Sequence, residues 1–336
     1  MNNDRRQAMP PASIPLRFRC LLLAVAALAS TGAAAQADAG YPNRPLRVVV
    51  PYPPGGNTDD MTREVMKELS ARLGQTIVVD NKPGANSIIG TESVAKSAPD
   101  GYTLGVVIGA YAINQSLYKK LPYTPQSLVP VSLMTRTALV LVAAPQMPGA
   151  FKDFVALGQK GQPPLSYATS GKGGVNHILG ERFAVATGLR GAFDVAYKGS
   201  NEARGDLLTG RVQFSFDAIP TMEPHIAKGA VHALAVTSHQ RSPQLPNVPT
   251  IGELGHPELV TYAWAGLLAP AGTPPAIVDK LSREIAQVMK NPEFQQRLAR
   301  KGSEGIGGTP AEFGAFLREE VDTAGQIVRR LGLSAD

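Results

Sequence analysis

The chain has 336 residues, 43% of them hydrophobic and 18% charged, which is enough apolar material for a large core and excludes a disordered chain. Its formal charge of +6 is spread without a basic stripe, which argues against nucleic acid as a partner. Cys20 is the only cysteine, so neither a disulfide framework nor a cysteine metal site is available.

Arg5, Arg6, Arg17 and Arg19 precede the apolar run 21–29, and Ala35-Gln36-Ala37 follows as an A-x-A cleavage signal. This order reads as a secretory signal peptide over residues 1–37, with an apolar part too short to span a bilayer. Removing it takes away four arginines and Asp4 and leaves roughly 300 residues at a charge of about +3. That length exceeds one small core, so two lobes are expected.

The first element is the stretch Leu46–Asp60, LRVVVPYPPGGNTDD. Val48-Val49-Val50 reads as a buried strand, Pro51–Gly56 as a tight loop, and Asp59–Leu73 as a helix. Such a loop presents unpaired backbone N–H groups and the positive end of a helix dipole, which favours an anion. Neither GxxxxGK[ST] nor GxGxxG is present, so the loop says small anion and not nucleotide. Further strands are expected at 75–79 and 102–108, around a helix at 88–96. Alternating strand and helix argues for parallel pairing with helices on both faces, and ligands in such sheets bind beyond the carboxyl ends of strands.

A second series follows the apolar strand 138–144 and a helix at 151–158. Strand 165–169 leads through Ser170-Gly171-Lys172-Gly173-Gly174 into a helix at 178–187. Strand 192–196 ends in Tyr197-Lys198-Gly199-Ser200, a helix at 202–208 follows, and strand 212–216 ends at Asp217. Strand 231–237 closes this series. Two lobes thus each aim a helix N-terminus at a shared space, an arrangement for an anion held from both sides. A strand from Tyr262 returns to the first lobe, and helices are expected at 275–289, 292–300 and 310–331, with prolines at their starts.

The segments YPNRPLRVVVPYPPGG, DNKPGANSIIG, APDGYTL, LPYTP, YKGS, AVTSHQRSPQLPNVPT and WAGLLAPAGTPP run from Tyr41 to about Gly314. Through them the chain resembles the extracytoplasmic solute-binding receptors of tripartite tricarboxylate transporters, the Bug or TctC type. The resemblance implies a two-lobed, type II (Venus-flytrap) α/β periplasmic binding protein, each lobe a mixed sheet flanked by helices. Lobe 1 would comprise 38–141 and 265–336, and lobe 2 residues 142–264. It further implies a periplasmic monomer without cofactor or catalysis, which captures a small carboxylate and delivers it to membrane transporter subunits. By position, the first-lobe contacts would be Tyr52, Gly55, Gly56, Asn57 and Thr58, with Tyr111 and Asn114. From the second lobe they would be Ser170, Gly171, Gly173, Asn176 and His177, with Tyr197 and Asp217 behind. The sequence departs from the family pattern at Gly109-Ala110, where Ser-Asn is common, and at Lys172, where a small or amide residue is usual.

Several of these residues have plain structural readings as well. Lys172 either pairs with a second carboxylate or is a solvated loop lysine. Asp59 and Asp60 suit the first turn of a helix better than a carboxylate site. Asp217 reads equally as a hydrogen-bond acceptor for ligand or water and as a helix cap. The five histidines show no HExxH and no i, i+4 pair, so no metal site is expected. Trp264 reads either as a wall of the cleft or, better, as packing at the lobe junction. Two alternatives to transport are a receptor feeding a two-component sensor and a periplasmic hydrolase or isomerase using Ser170 and His177. No GxSxG and no third orienting group supports the latter.

Overall fold

The computed structural model describes residues 40–169, 174–197, 200–330 and 332–334. The expected signal peptide and Ser170, Gly171, Lys172 and Gly173 lie outside the described residues. The chain divides into two units, Met1–Tyr41 and Pro42–Asp336, and every helix and strand named below belongs to the second.

Strand β1 (Leu46–Val50) lies between β2 (Ile77–Asn81) and β3 (Thr103–Val107), parallel to both. Helix α1 (Asn57–Leu73) and helix α2 (Ile88–Ala95) make the two connections. Met61, Val65, Met66 and Leu69 recur at helical spacing and form the buried face of α1. Each such side chain contributes about 1.5–3 kcal/mol on burial. Gly74, left-handed at φ 65°, ends the helix. Helix α3 (Gly109–Leu117) leaves β3.

Strand β4 (Leu128–Ala143) is 16 residues long and runs through both halves of the sheet. Its first part, to Ala138, pairs antiparallel with β9 (Tyr262–Pro270). Its last part, from Leu139, pairs antiparallel with β7 (Phe214–Ala218), and from Val140 with β8 (His232–Val236) as well. Only the second part is visible in the sequence as an apolar run. The first carries Pro130 and several Ser and Thr residues, and its register shifts between Pro130 and Ser132 and again between Leu133 and Thr135. Proline is tolerated in a strand at such irregularities.

Beyond β7 lie β5 (Ser166–Thr169) and β6 (Phe193–Ala196), all parallel, giving the order β2-β1-β3-β9-β4-β7-β5-β6. Helices α4 (Phe151–Lys160), α5 (Val175–Thr187), α6 (Ser200–Leu208) and α7 (Ile219–Ala227) belong to this half. Helix α7 was hidden in the sequence by Pro220 at its start and Pro224 inside it. The C-terminal helices are α8 (Pro275–Met289), α9 (Pro292–Arg300) and α10 (Pro310–Arg330), with the short strand β10 (Ser303–Gly305) pairing β4.

Each half has its own core. In one, Trp264, Phe313 and Val49 pack together. In the other, Phe154, Phe183, Phe214 and Phe216 pack with ring centroids 5.5–6.5 Å apart. A smaller cluster of Ile113, Ile178 and Val328 joins α3, α5 and α10.

Thr237, fully buried just after β8, ties together the two segments by which the chain crosses between halves. Its N–H donates to Leu139 O at 2.9 Å, and its hydroxyl accepts from Leu139 N–H at 3.0 Å. The same hydroxyl donates to Thr261 O at 2.7 Å, while Thr261 N–H donates to Thr237 O at 2.9 Å.

Candidate functional site

Four helices begin at one place. The residues before α1, α3, α5 and α7 are Gly56, Ile108, Gly174 and Ala218, and none of these starts carries a side-chain cap. Each helix follows a strand of the sheet, so the sheet's topology brings the starts together. In α1 the first ladder bond is donated by Asp60 N–H to Gly56 O at 3.0 Å, and in α5 by Ile178 N–H to Gly174 O at 3.1 Å. The amides before these bonds stand outside the helical ladder. They point a partial positive charge at whatever lies ahead.

What lies ahead is a cavity of about 300 Å³. Tyr52, Gly56, Asn57 and Thr58 form one wall, and Asn176 and Asp217 are on the other. These are six of the fifteen residues expected from the sequence. Arg204, Glu202 and Asn201 of α6 complete the second wall. A neighbouring cavity of about 320 Å³ shares Asn57, Thr58, Ile108, Val175 and Ala263 with the first. It extends toward Trp264, Arg182 and Glu320. Burial pushes the Glu320 carboxyl above its usual range, opposed by Trp264 Nε1–H, which donates to it at 2.6 Å. The first cavity holds the larger share of the helix starts and is the better candidate for an anion.

Five expected contacts are engaged elsewhere. Gly55, at φ 80°, stands outside the cavity lining, and its N–H donates to Asp59 Oδ2 at 3.0 Å. Asp59 is 2% exposed and also accepts from Arg63 Nε and from Asn81 Nδ2, at 3.0 and 2.9 Å. Burial opposes its ionisation, but Arg63, Gly55 and Asn81 outweigh burial and hold the carboxyl below its usual range. Tyr111 is buried and stacks on Tyr123 at 6.1 Å, because α3 turns it into the core. Asn114, fully buried, exchanges side-chain bonds of 2.8 and 2.9 Å with Asn86 and so pins the left-handed turn Ala85-Asn86-Ser87. His177 is 3% exposed and places Nε2 3.9 Å from Asp194 Oδ2, beneath the start of α5. The Tyr197 hydroxyl donates to Asp206 Oδ2 at 2.7 Å, and burial together with Asp206 pushes it up to about 12. Ser170, Gly171, Lys172 and Gly173 lie outside the described residues.

Asp217 borders α7 rather than capping it, since the amide it holds belongs to Ala218, the residue before the helix. Its Oδ1 accepts from Ala218 N–H at 2.8 Å, and it also lines the cavity. Burial pushes its carboxyl above the usual range, against the pull of Arg204. Arg204 and Glu202 were missed by the sequence reading. One signal was available: Arg204 is a cation beside the buried positions Ala203 and Leu207, near the N-terminus of a helix, where the dipole disfavours positive charge.

The family profile "Tripartite tricarboxylate transporter family receptor" matches residues 61–333. Protein BugT of Bordetella pertussis is 37% identical over 310 residues, covering 91% of this chain and 95% of BugT. The solved periplasmic binding protein BugD superposes with a TM-score of 0.80 at 32% identity, covering 88% of this chain and 99% of that one. Rpa4515 of R. palustris, solved with adipate, superposes with a TM-score of 0.82 at 32% identity, with the same coverage of 88% and 99%. The mixed sheet with flanking helices is thus the periplasmic-binding-protein fold, and the chain belongs to the receptor family of the tripartite tricarboxylate transporters.

Proposed function

We propose that this protein binds a small carboxylate in the cavity where the four helix starts meet and delivers it to membrane subunits of a tripartite transporter. The observation that carries this reading is the convergence of the α1, α3, α5 and α7 N-termini, each without a side-chain cap, on one cavity of about 300 Å³. Backbone amides and helix dipoles stabilise a carboxylate without a fixed counter-charge. Rpa4515, 32% identical to this chain, was solved with adipate. Tyr52, Gly56, Asn57, Thr58, Asn176 and Asp217 are the proposed contacts from the described residues, and Ser170, Gly171, Lys172 and Gly173, which precede α5 in the sequence, are proposed as further contacts.

The division into lobes 38–141 with 265–336 and 142–264 belongs to the same proposal. The change of partners along β4 after Ala138 supports it. Ligand contacts from both lobes then favour a closed form, which the membrane partner reads. The family's character as solute receptors supports a periplasmic location and a binding role without turnover.

A thermal-shift screen of the mature protein, refolded to strip retained ligand, tests this. The panel holds C4–C6 dicarboxylates, citrate, acidic amino acids and aromatic acids. A ligand at a hundredfold excess over its Kd adds about 2.7 kcal/mol, which raises Tm by roughly 5–10 °C for a chain of this size. A folded protein that no carboxylate shifts would overturn the reading.

A further inference from the structure

We propose that Arg204 selects the ligand: its guanidinium pairs with a second anionic group, so the cavity prefers a dicarboxylate to the monocarboxylate of the same chain length. This inference rests on the carboxylate reading above and adds to it a residue and a direction of discrimination.

Arg204 is the only lysine or arginine among the described residues that line this cavity. Its Nε–H is buried and has no hydrogen-bond partner among the described residues. Buried donors are almost always paired, and leaving one unpaired is costly. Its closest carboxylate is Asp217, with Nη2 3.9 Å from Oδ2, which is attraction without a hydrogen bond. The guanidinium is therefore held near Asp217 by charge, while its Nε–H is left without a partner. Its side chain is 19% exposed, so it is also largely removed from water. Ala203 and Leu207, both buried, anchor the face of α6 next to it and fix where its stem emerges.

The opposite wall carries the starts of α1 and α5, at Gly56-Asn57-Thr58 and Val175-Asn176. A ligand with one carboxylate against those amides presents its other end to the α6 wall. A second carboxylate there gives the planar fork of Arg204 the bidentate acceptor that Asp217 does not supply. Glu202 and Asp217 share that wall and oppose a second negative charge. The inference therefore has a sign at two positions: Arg204 favours the diacid and Asp217 disfavours it.

Calorimetry with adipate against hexanoate and succinate against butyrate tests the inference in wild type, Arg204→Gln, Arg204→Lys and Asp217→Asn. Arg204→Gln is expected to weaken the better diacid about thirtyfold or more while changing its monoacid partner by no more than about twofold. Arg204→Lys keeps the charge without the fork and falls between. Asp217→Asn strengthens the diacid several-fold. A merely structural Arg204 would move diacid and monoacid together, and that result overturns the inference while leaving the carboxylate reading intact. Loss of discrimination in Lys172→Ala but not in Arg204→Gln also overturns it. If wild type binds no carboxylate of any kind, both the inference and the reading beneath it fall.

Discussion

Two groups of helix starts in this molecule treat their first-turn amides in opposite ways. At α9, the Asn291 side chain accepts from Glu293 N–H and Phe294 N–H at 2.9 and 3.2 Å. At α10, Thr309 and Glu312 cap each other reciprocally, with bonds of 2.8 and 3.2 Å. At the cavity, the starts of α1, α3, α5 and α7 have glycine or an aliphatic residue in the capping position and no such bond. Helices α2, α4 and α8 also start without a side-chain cap, so a missing cap alone does not mark a site. What marks it is that four such starts share one space. A side-chain cap there would satisfy the same N–H groups that a ligand needs, so local stability and binding compete for the same donors.

The largest expected effect tests how the cavity side keeps its loop in place without a cap. Asp59 acts as an internal anion for the β1–α1 loop. Asp59→Asn should lower stability by about 2–3 kcal/mol in chemical denaturation. Its carboxyl is held below the usual range in the folded protein. Its contribution is then fully present above the unfolded carboxylate value of about 4 and disappears as pH falls through the lower folded value. The gap between wild type and variant should be flat above pH ~5 and shrink below pH ~4. A gap that widens on acidification would refute the role assigned to Asp59.

An intermediate effect comes from installing a cap where the cavity lacks one. Gly56 has φ −90° and ψ 164°, a conformation open to serine, and a Cβ there would meet nothing closer than Pro53 O at 4.0 Å. Gly56→Ser should raise stability by only a few tenths of a kcal/mol and weaken carboxylate binding about tenfold, because the hydroxyl takes an amide from the ligand. Binding by calorimetry that stays unchanged would show that these amides do not hold the ligand.

The smallest effect is the converse experiment. Asn291→Ala should cost about 1 kcal/mol of stability. Carboxylate affinity should stay as in wild type, since α9 contributes nothing to the cavity lining. A change in affinity would mean that the two groups of helix starts are coupled, and the contrast between them would lose its meaning.

The strand–loop–helix units were legible because apolar runs end in glycine, proline and capping residues, which act locally. Leu46–Val50 and the helix after it follow from that alone. What was not legible depends on distant partners. Pro130 and the threonines of β4 look like breakers until β9 supplies the pairing that accommodates its two register shifts. Tyr111, Asn114 and His177 sit at the right places along the chain for ligand contacts, but the stacking of Tyr123, the amide of Asn86 and the carboxylate of Asp194 draw them inward. Arg204 was overlooked because its neighbours Glu202 and Asp206 make a surface helix the natural reading, and only the packing of Ala203 and Leu207 turns it to the cavity.

Thr237 carries a mechanical consequence. Its four bonds lock Leu139 on one crossing segment and Thr261 on the other to the same residue. Lengthwise slip of one segment past the other would break these buried bonds, which disfavours shear between the two proposed lobes. Bending about a line through Thr237 keeps all four, so in the proposed closure a single threonine would act as the rivet of a pair of scissors: the blades swing while their relative height is held.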